Sequence, residues 1–124
     1  MKTIKLKKIE IIEIEILQKE LFNFLTFKNS QFIHKSIHDN SYFDTILLID
    51  IAQKMYYNFR GKIEKINTSF SSLHLTCSEA IVLLQCCNDK SQFTDEPTKF
   101  VLEKFQSLIF KELSELSKHN LLTT

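Results

Sequence analysis

Only one glycine, Gly61, and one proline, Pro97, occur in 124 residues. An all-β fold needs turn residues every few positions, so this scarcity weighs against one. It also excludes the glycine-rich loops that cradle phosphates. What remains is long helices joined by polar connections. The expected fold is mostly α (α+β), with four main helices and up to two short strands.

The hydrophobic fraction of 44% and the charged fraction of 25% are those of an ordinary globular protein. The length fits a single domain over 1–124, large enough to bury a core without staples. The start of the chain is basic, but Glu10, Glu13 and Glu15 interrupt the isoleucine run that follows. A secretory leader is therefore not expected. No apolar run is long enough to span a bilayer. With no leader, the three cysteines Cys77, Cys86 and Cys87 read as reduced thiols in a cytoplasmic protein.

Periodicity places the elements. Ile4 and Leu6 alternate with Lys5 and Lys7, which reads as a strand over 3–7. Ile9, Ile12, Ile16, Leu17, Leu21, Phe24 and Leu25 recur at helical spacing and predict a helix over 8–27. The polar stretch 28–41 reads as a loop. Ser41 then caps a helix, with Asp44 near its positive end. That helix carries the stripe Phe43, Leu47, Ile51, Met55 and Phe59, widened by Leu48, Ala52, Tyr56 and Ile63, and Gly61 is expected to end it. Residues 70–75 read as a second strand. Thr76-Cys77-Ser78-Glu79 has the capping-box pattern and predicts a helix to about Asn88. Thr94 or Asp95 caps the last helix, with Pro97 in its first turn, and Phe100, Val101, Phe105, Leu108, Ile109 and Leu116 form its buried stripe. The tail 120–124 is expected to fray.

The halves 3–66 and 70–118 both read strand–helix–helix, which suggests an internal duplication. In one register Ile4, Lys5 and Leu6 meet Leu73, His74 and Leu75, and Glu10 meets Glu79. The second helices align with Thr45 on Thr98, Leu48 on Val101 and Met55 on Leu108. The polar stretch 28–41 has no counterpart in the second half. On this reading the two strands pair, and Lys5, Lys7 and Lys8 discourage further edge pairing.

No constellation of residues carries chemistry. His34 and His38 have a ligand-like spacing, but a zinc site needs more ligands than these, so no metal or other cofactor is expected. Cys77 lies near His74 in sequence, which alone makes no thiolate–imidazole dyad. Glu10, Glu13, Glu15 and Glu20 read as a solvated helix face, with Glu15 and Lys19 at the favourable i, i+4 spacing. Catalytic residues are accordingly none, and the chain leans away from an enzyme.

The formal net charge is +1 and Arg60 is the only arginine. A nucleic-acid partner is therefore disfavoured, and would require Arg60, Lys62 and Lys65 to converge on one face. Tyr42, Tyr56 and Tyr57 are interface candidates. The expected role is a protein-interaction or regulatory module, a candidate homodimer. Its candidate interaction segment is Phe32, Ile33, His34, Ile37, His38 and Tyr42.

Overall fold

The strands and helices run β1 (Thr3–Glu10), α1 (Ile11–Ile33), α2 (Tyr42–Lys65), β2 (Phe70–Thr76), α3 (Cys77–Asn88) and α4 (Glu96–Asn120). This is a computed structural model, and it describes residues 3–65, 70–88 and 95–120. Thr94, the tail 121–124 and the Lys65 side chain lie outside the described residues. The four helices and two short strands are those expected from the scarcity of glycine and proline.

β1 and β2 form a two-stranded antiparallel ribbon. Ile4 pairs with Leu75 and Leu6 with Leu73, and all four side chains are buried. Ile9 is buried as well. In a regular strand Leu6 and Ile9 would point to opposite faces, because their separation is odd. The register shifts between Leu6 and Ile9, so that Lys7 and Lys8 together stand opposite the position between Ser71 and Leu73. That bulge restores the parity and keeps Ile9 on the core side. Its local cost shows at Lys8, whose φ of 57° lies in the left-handed region. The strand consequently runs to Glu10, not to residue 7, and α1 begins at Ile11.

Both helices that leave the ribbon start with the same device. At α3 the Glu79 amide donates to the Thr76 Oγ1 at 3.1 Å, and the Thr76 amide donates to Glu79 Oε1 at 2.8 Å. This is the reciprocal cap expected from the sequence. At α1 the Glu10 amide donates to Glu13 Oε1 at 2.9 Å. The residue in Glu79's part is thus Glu13, not Glu10 as the sequence alignment of the halves had it.

α1 packs on α2 and α3 on α4, and α2 and α3 also meet. One core cluster joins Ile14, Leu17 and Leu21 of α1 to Met55 of α2, Leu83 of α3 and Phe105 of α4. Four expected stripe residues lie outside it. Ile12, Phe43 and Leu47 are more than half exposed, and so is Phe100 at 70%. Ile14 and Leu102 are buried in the places that Ile12 and Phe100 were expected to fill. On α4 the expected cap holds, with the Thr98 amide donating to Asp95 Oδ1 at 2.8 Å. The Thr98 hydroxyl first, and then this amide bond, hold the Asp95 carboxyl below the usual aspartate range.

Gly61 does not end α2, which continues through it to Lys65. It does not have a positive φ, and a Cβ built on it meets nothing within 4 Å. The residue therefore only weakens the helix. Gly61→Ala is expected to raise stability by about 0.5–1 kcal/mol, read as a higher denaturant midpoint at constant slope. A lower midpoint would show that the backbone at 61 needs glycine.

Candidate functional site

Three surface regions bear on function: the far end of the α1–α2 hairpin, the outward face of the ribbon, and a hollow between them and α3.

α1 has 23 residues, and at about 1.5 Å per residue it extends well past the part of it that is buried. Its last buried residue is Phe24, and none follows until Thr45 in α2. The segment 28–41, expected as a loop, is helical as far as Ile33 and then turns. Two short backbone bonds close α1 without glycine, His34 N–H to Gln31 O and Lys35 N–H to Phe32 O. A local network then shapes the turn. The Ser41 amide and hydroxyl both donate to Asp39 Oδ1, and Lys35 Nζ donates to the Ser41 hydroxyl oxygen. The two Ser41 bonds, backbone first, hold the Asp39 carboxyl below its usual range. Ser41's hydroxyl is spent on Asp39, and α2 opens instead on Thr45, whose amide and hydroxyl donate to Ser41 O.

Of the candidate interaction residues, Phe32 and Tyr42 meet ring to ring with centroids 5.0 Å apart, and Tyr42 also meets Phe43 at 5.2 Å. Ile33 and Ile37 stand in solvent, Ile33 at 77%. His34 caps α1 and His38 lies in the turn, so the two do not share a helical face and their spacing is not that of chelating ligands. Among the described residues no cluster of three or more His, Cys, Asp or Glu side chains is placed to hold a metal ion. The structure adds Phe43, Ile46 and Leu47 to this surface. The periodicity of Phe43 and Leu47 pointed to a core stripe, because spacing records a shared face and not what covers it. Of the other tyrosines, Tyr56 packs on Phe22 at 6.0 Å and Tyr57 is exposed.

The ribbon turns Thr3, Lys5, Lys7 and Lys8 outward from β1 and His74 outward from β2. Lys5 and His74 are direct cross-strand partners. Beside them a hollow of 360 Å³ is lined by Tyr57, Asn58, Lys62, His74 and Glu79 among others. Glu79 turns its carboxylate onto the Thr76 amide there, which makes it a helix cap. Arg60 points into an ion pair with Glu64 at 3.3 Å on α2 itself. Of the three cations named for a nucleic-acid face, Lys62 thus approaches the ribbon and Arg60 is engaged elsewhere.

Cys86 and Cys87 are buried core side chains, Cys77 opens α3, and none of the three forms a disulfide. Glu13 departs most from expectation. It is buried, not part of a solvated face, and its Oε2 accepts from Lys104 Nζ of α4 at 2.6 Å. Burial also pushes the Glu20 carboxyl above its usual range, against the lowering effect of Lys19.

No family model matches this chain, and comparison with curated proteins and with solved structures finds no match. Among the described residues no helix is long and apolar enough to cross a membrane.

Proposed function

We propose that this chain is a small non-enzymatic protein-interaction module, built from two strand–helix–helix repeats, that forms a homodimer through the end of its α1–α2 hairpin. The observation that carries the reading is the stretch from Leu25 to Asp44. It contains no buried residue, yet it holds Phe27, Ile33, Ile37 and Phe43, with Ile46 and Leu47 just beyond. Phenylalanine side chains cover about 150–250 Å² each when fully buried, and the aliphatic ones less. A half-exposed set of them leaves on the order of 500 Å² of apolar surface in water, the upper end of what a monomer's largest patch carries.

A second copy is the fitting occupant for two reasons. The rim of the patch mixes Lys28 and Lys35 with Asp39 and Asp44, so it complements itself under a twofold rotation. Two such ends facing each other also approach the area of a standard interface, about 800 Å² per partner. The repeat reading draws on the ribbon in a register other than the one read from the sequence, with Leu6 equivalent to Leu73 and not to Leu75. Around the central pair Leu6–Leu73, Ile4–Leu75 on one side answers Ile9–Ser71 on the other, and Thr3–Thr76 answers Glu10–Phe70. Ala52, Met55 and Phe59 of α2 are buried at the same spacing as Leu102, Phe105 and Ile109 of α4. In this view the first repeat carries the docking end and the second is the shorter form.

Sedimentation of the full chain at about 50 μM, a concentration suited to weak standard interfaces, is expected to show a dimer. Phe43→Glu with Leu47→Glu alters only exposed positions and should yield a folded monomer. A wild-type chain that stays monomeric at that concentration, or a double variant that dimerises as before, overturns the proposal.

A further inference from the structure

We propose that the outward face of the β1–β2 ribbon binds duplex DNA, lying in the major groove with Lys5, Lys7 and Lys8 against the phosphates and His74 toward the base edges. This goes beyond the hairpin contact and uses a different surface.

The shape argument comes first. Strands in an antiparallel pair lie about 4.7–4.9 Å apart, and the major groove of B-form DNA, about 12 Å wide, admits a two-stranded ribbon. Most small sheets are covered on one face and solvated on the other, and here the covered face is complete. Ile4, Leu6, Ile9, Leu73 and Leu75 are all buried. The opposite face carries Lys5, Lys7, Lys8 and His74, all exposed, and no helix is needed to cover them.

The charge argument follows. The whole chain carries only +1, so attraction to a polyanion cannot come from the molecule at large. It has to be local, and the ribbon is where cations gather. None of Lys5, Lys7 and Lys8 forms an ion pair with a described residue. The bulge places two lysines in succession on the exposed strand, where a regular strand would turn one of them inward. Lys62 of α2 adds a fourth cation at the side of the ribbon, in the hollow it shares with His74. The carboxylate nearest that hollow, Glu79, is turned onto the Thr76 amide.

A competing role for the same lysines is protection of an open sheet edge. The two roles separate cleanly, because glutamate blocks edge pairing as well as lysine does but repels DNA. Lys5→Glu with Lys7→Glu keeps the edge charged and avoids the left-handed backbone at Lys8.

The experiment measures fluorescence anisotropy of a labelled B-form DNA duplex of mixed sequence with the full-length chain, at 50 and 200 mM salt. Three phosphate contacts predict a log–log slope near −2.7, which is roughly forty-fold weaker binding at the higher salt. The Lys5→Glu/Lys7→Glu variant, checked for folding by circular dichroism, should bind at least tenfold more weakly at 50 mM and lose about two from the slope. A variant of equal charge change on α4, Lys99→Glu with Lys111→Glu, should retain more than half of the wild-type affinity. Duplex RNA of the same sequence should bind more weakly than the DNA, since its major groove is too narrow for a ribbon. The proposal is overturned by any of four results: no binding to DNA at 50 mM salt, a ribbon variant that binds like wild type, an α4 variant that loses as much as the ribbon variant, or RNA bound as tightly as DNA. If the ribbon variant does not fold, the wild-type salt slope and the RNA comparison decide alone.

Discussion

Phe105→Ala is expected to cost about 3–5 kcal/mol, a large share of the roughly 5–15 kcal/mol that holds a domain of this kind together. Phe105 is fully buried and ranks first in size among the fully buried side chains of the described residues. It sits on α4, one turn from Leu102 and Ile109, both of which are also fully buried. Removing the ring forfeits its transfer free energy and leaves a cavity that four packed helices can only partly close. Phe110 supplies the internal control. It lies on the same helix but is 65% exposed, so Phe110→Ala should change stability by no more than about 0.5 kcal/mol. Both are read from urea titrations, where the midpoint moves and the slope does not. If the two variants lose similar amounts, α4 does not insert Phe105 into the core.

Glu13→Ala is expected to cost about 2–3 kcal/mol, more than any other single polar truncation among the described residues. One carboxylate here performs two tasks. Oε1 accepts the Glu10 amide at the start of α1, and losing such a cap costs about 1 kcal/mol. Oε2 accepts Lys104 Nζ at 2.6 Å and ties α1 to α4. Glu13 is 9% exposed in its side chain while Lys104 is 35%, so water screens the lysine end and the pair is worth less than a fully buried one. Lys104→Met should therefore cost less than Glu13→Ala, about 1–2 kcal/mol, because it leaves the carboxylate without its charged partner but keeps the cap. The double variant should cost less than the sum of the singles by about 1 kcal/mol. Strict additivity would mean that the two side chains do not interact in solution.

The capping box illustrates how far local chemistry reaches. Thr76 and Glu79 satisfy amides within one turn, so their four-residue pattern was enough to locate the start of α3. The same logic missed the start of α1, because Glu10 is a weak cap by type and the isoleucines on either side suit strand and helix alike. There the boundary depends on a bulge that keeps Leu6 and Ile9 on one face, and a bulge leaves no signature in a run of lysines. Glu13 looked like one of several solvated carboxylates. Its partner lies 91 residues away, and nothing local to Glu13 records it.

Phe43, Leu47 and Phe100 make the same point about apolar residues. Each falls on a helical stripe, and each stands mostly in solvent. The candidate segment at 28–42 was legible as a polar stretch interrupted by Phe32, Ile33 and Ile37, but its helical first part and the apolar residues it shares with the start of α2 were not. What the amino-acid sequence determined by itself was the helix-dominated α+β class, the ends of α3, a cap for α4 at Thr94 or Asp95 and the alternation of the strands, since each follows from turn chemistry, capping or periodicity within a few residues. Which stripes are core, which carboxylate is buried and where an apolar surface stays bare were decided by tertiary structure alone. Burial depends on what lies across from a side chain, and beyond Phe24 no described residue of α1 is covered well enough to be buried.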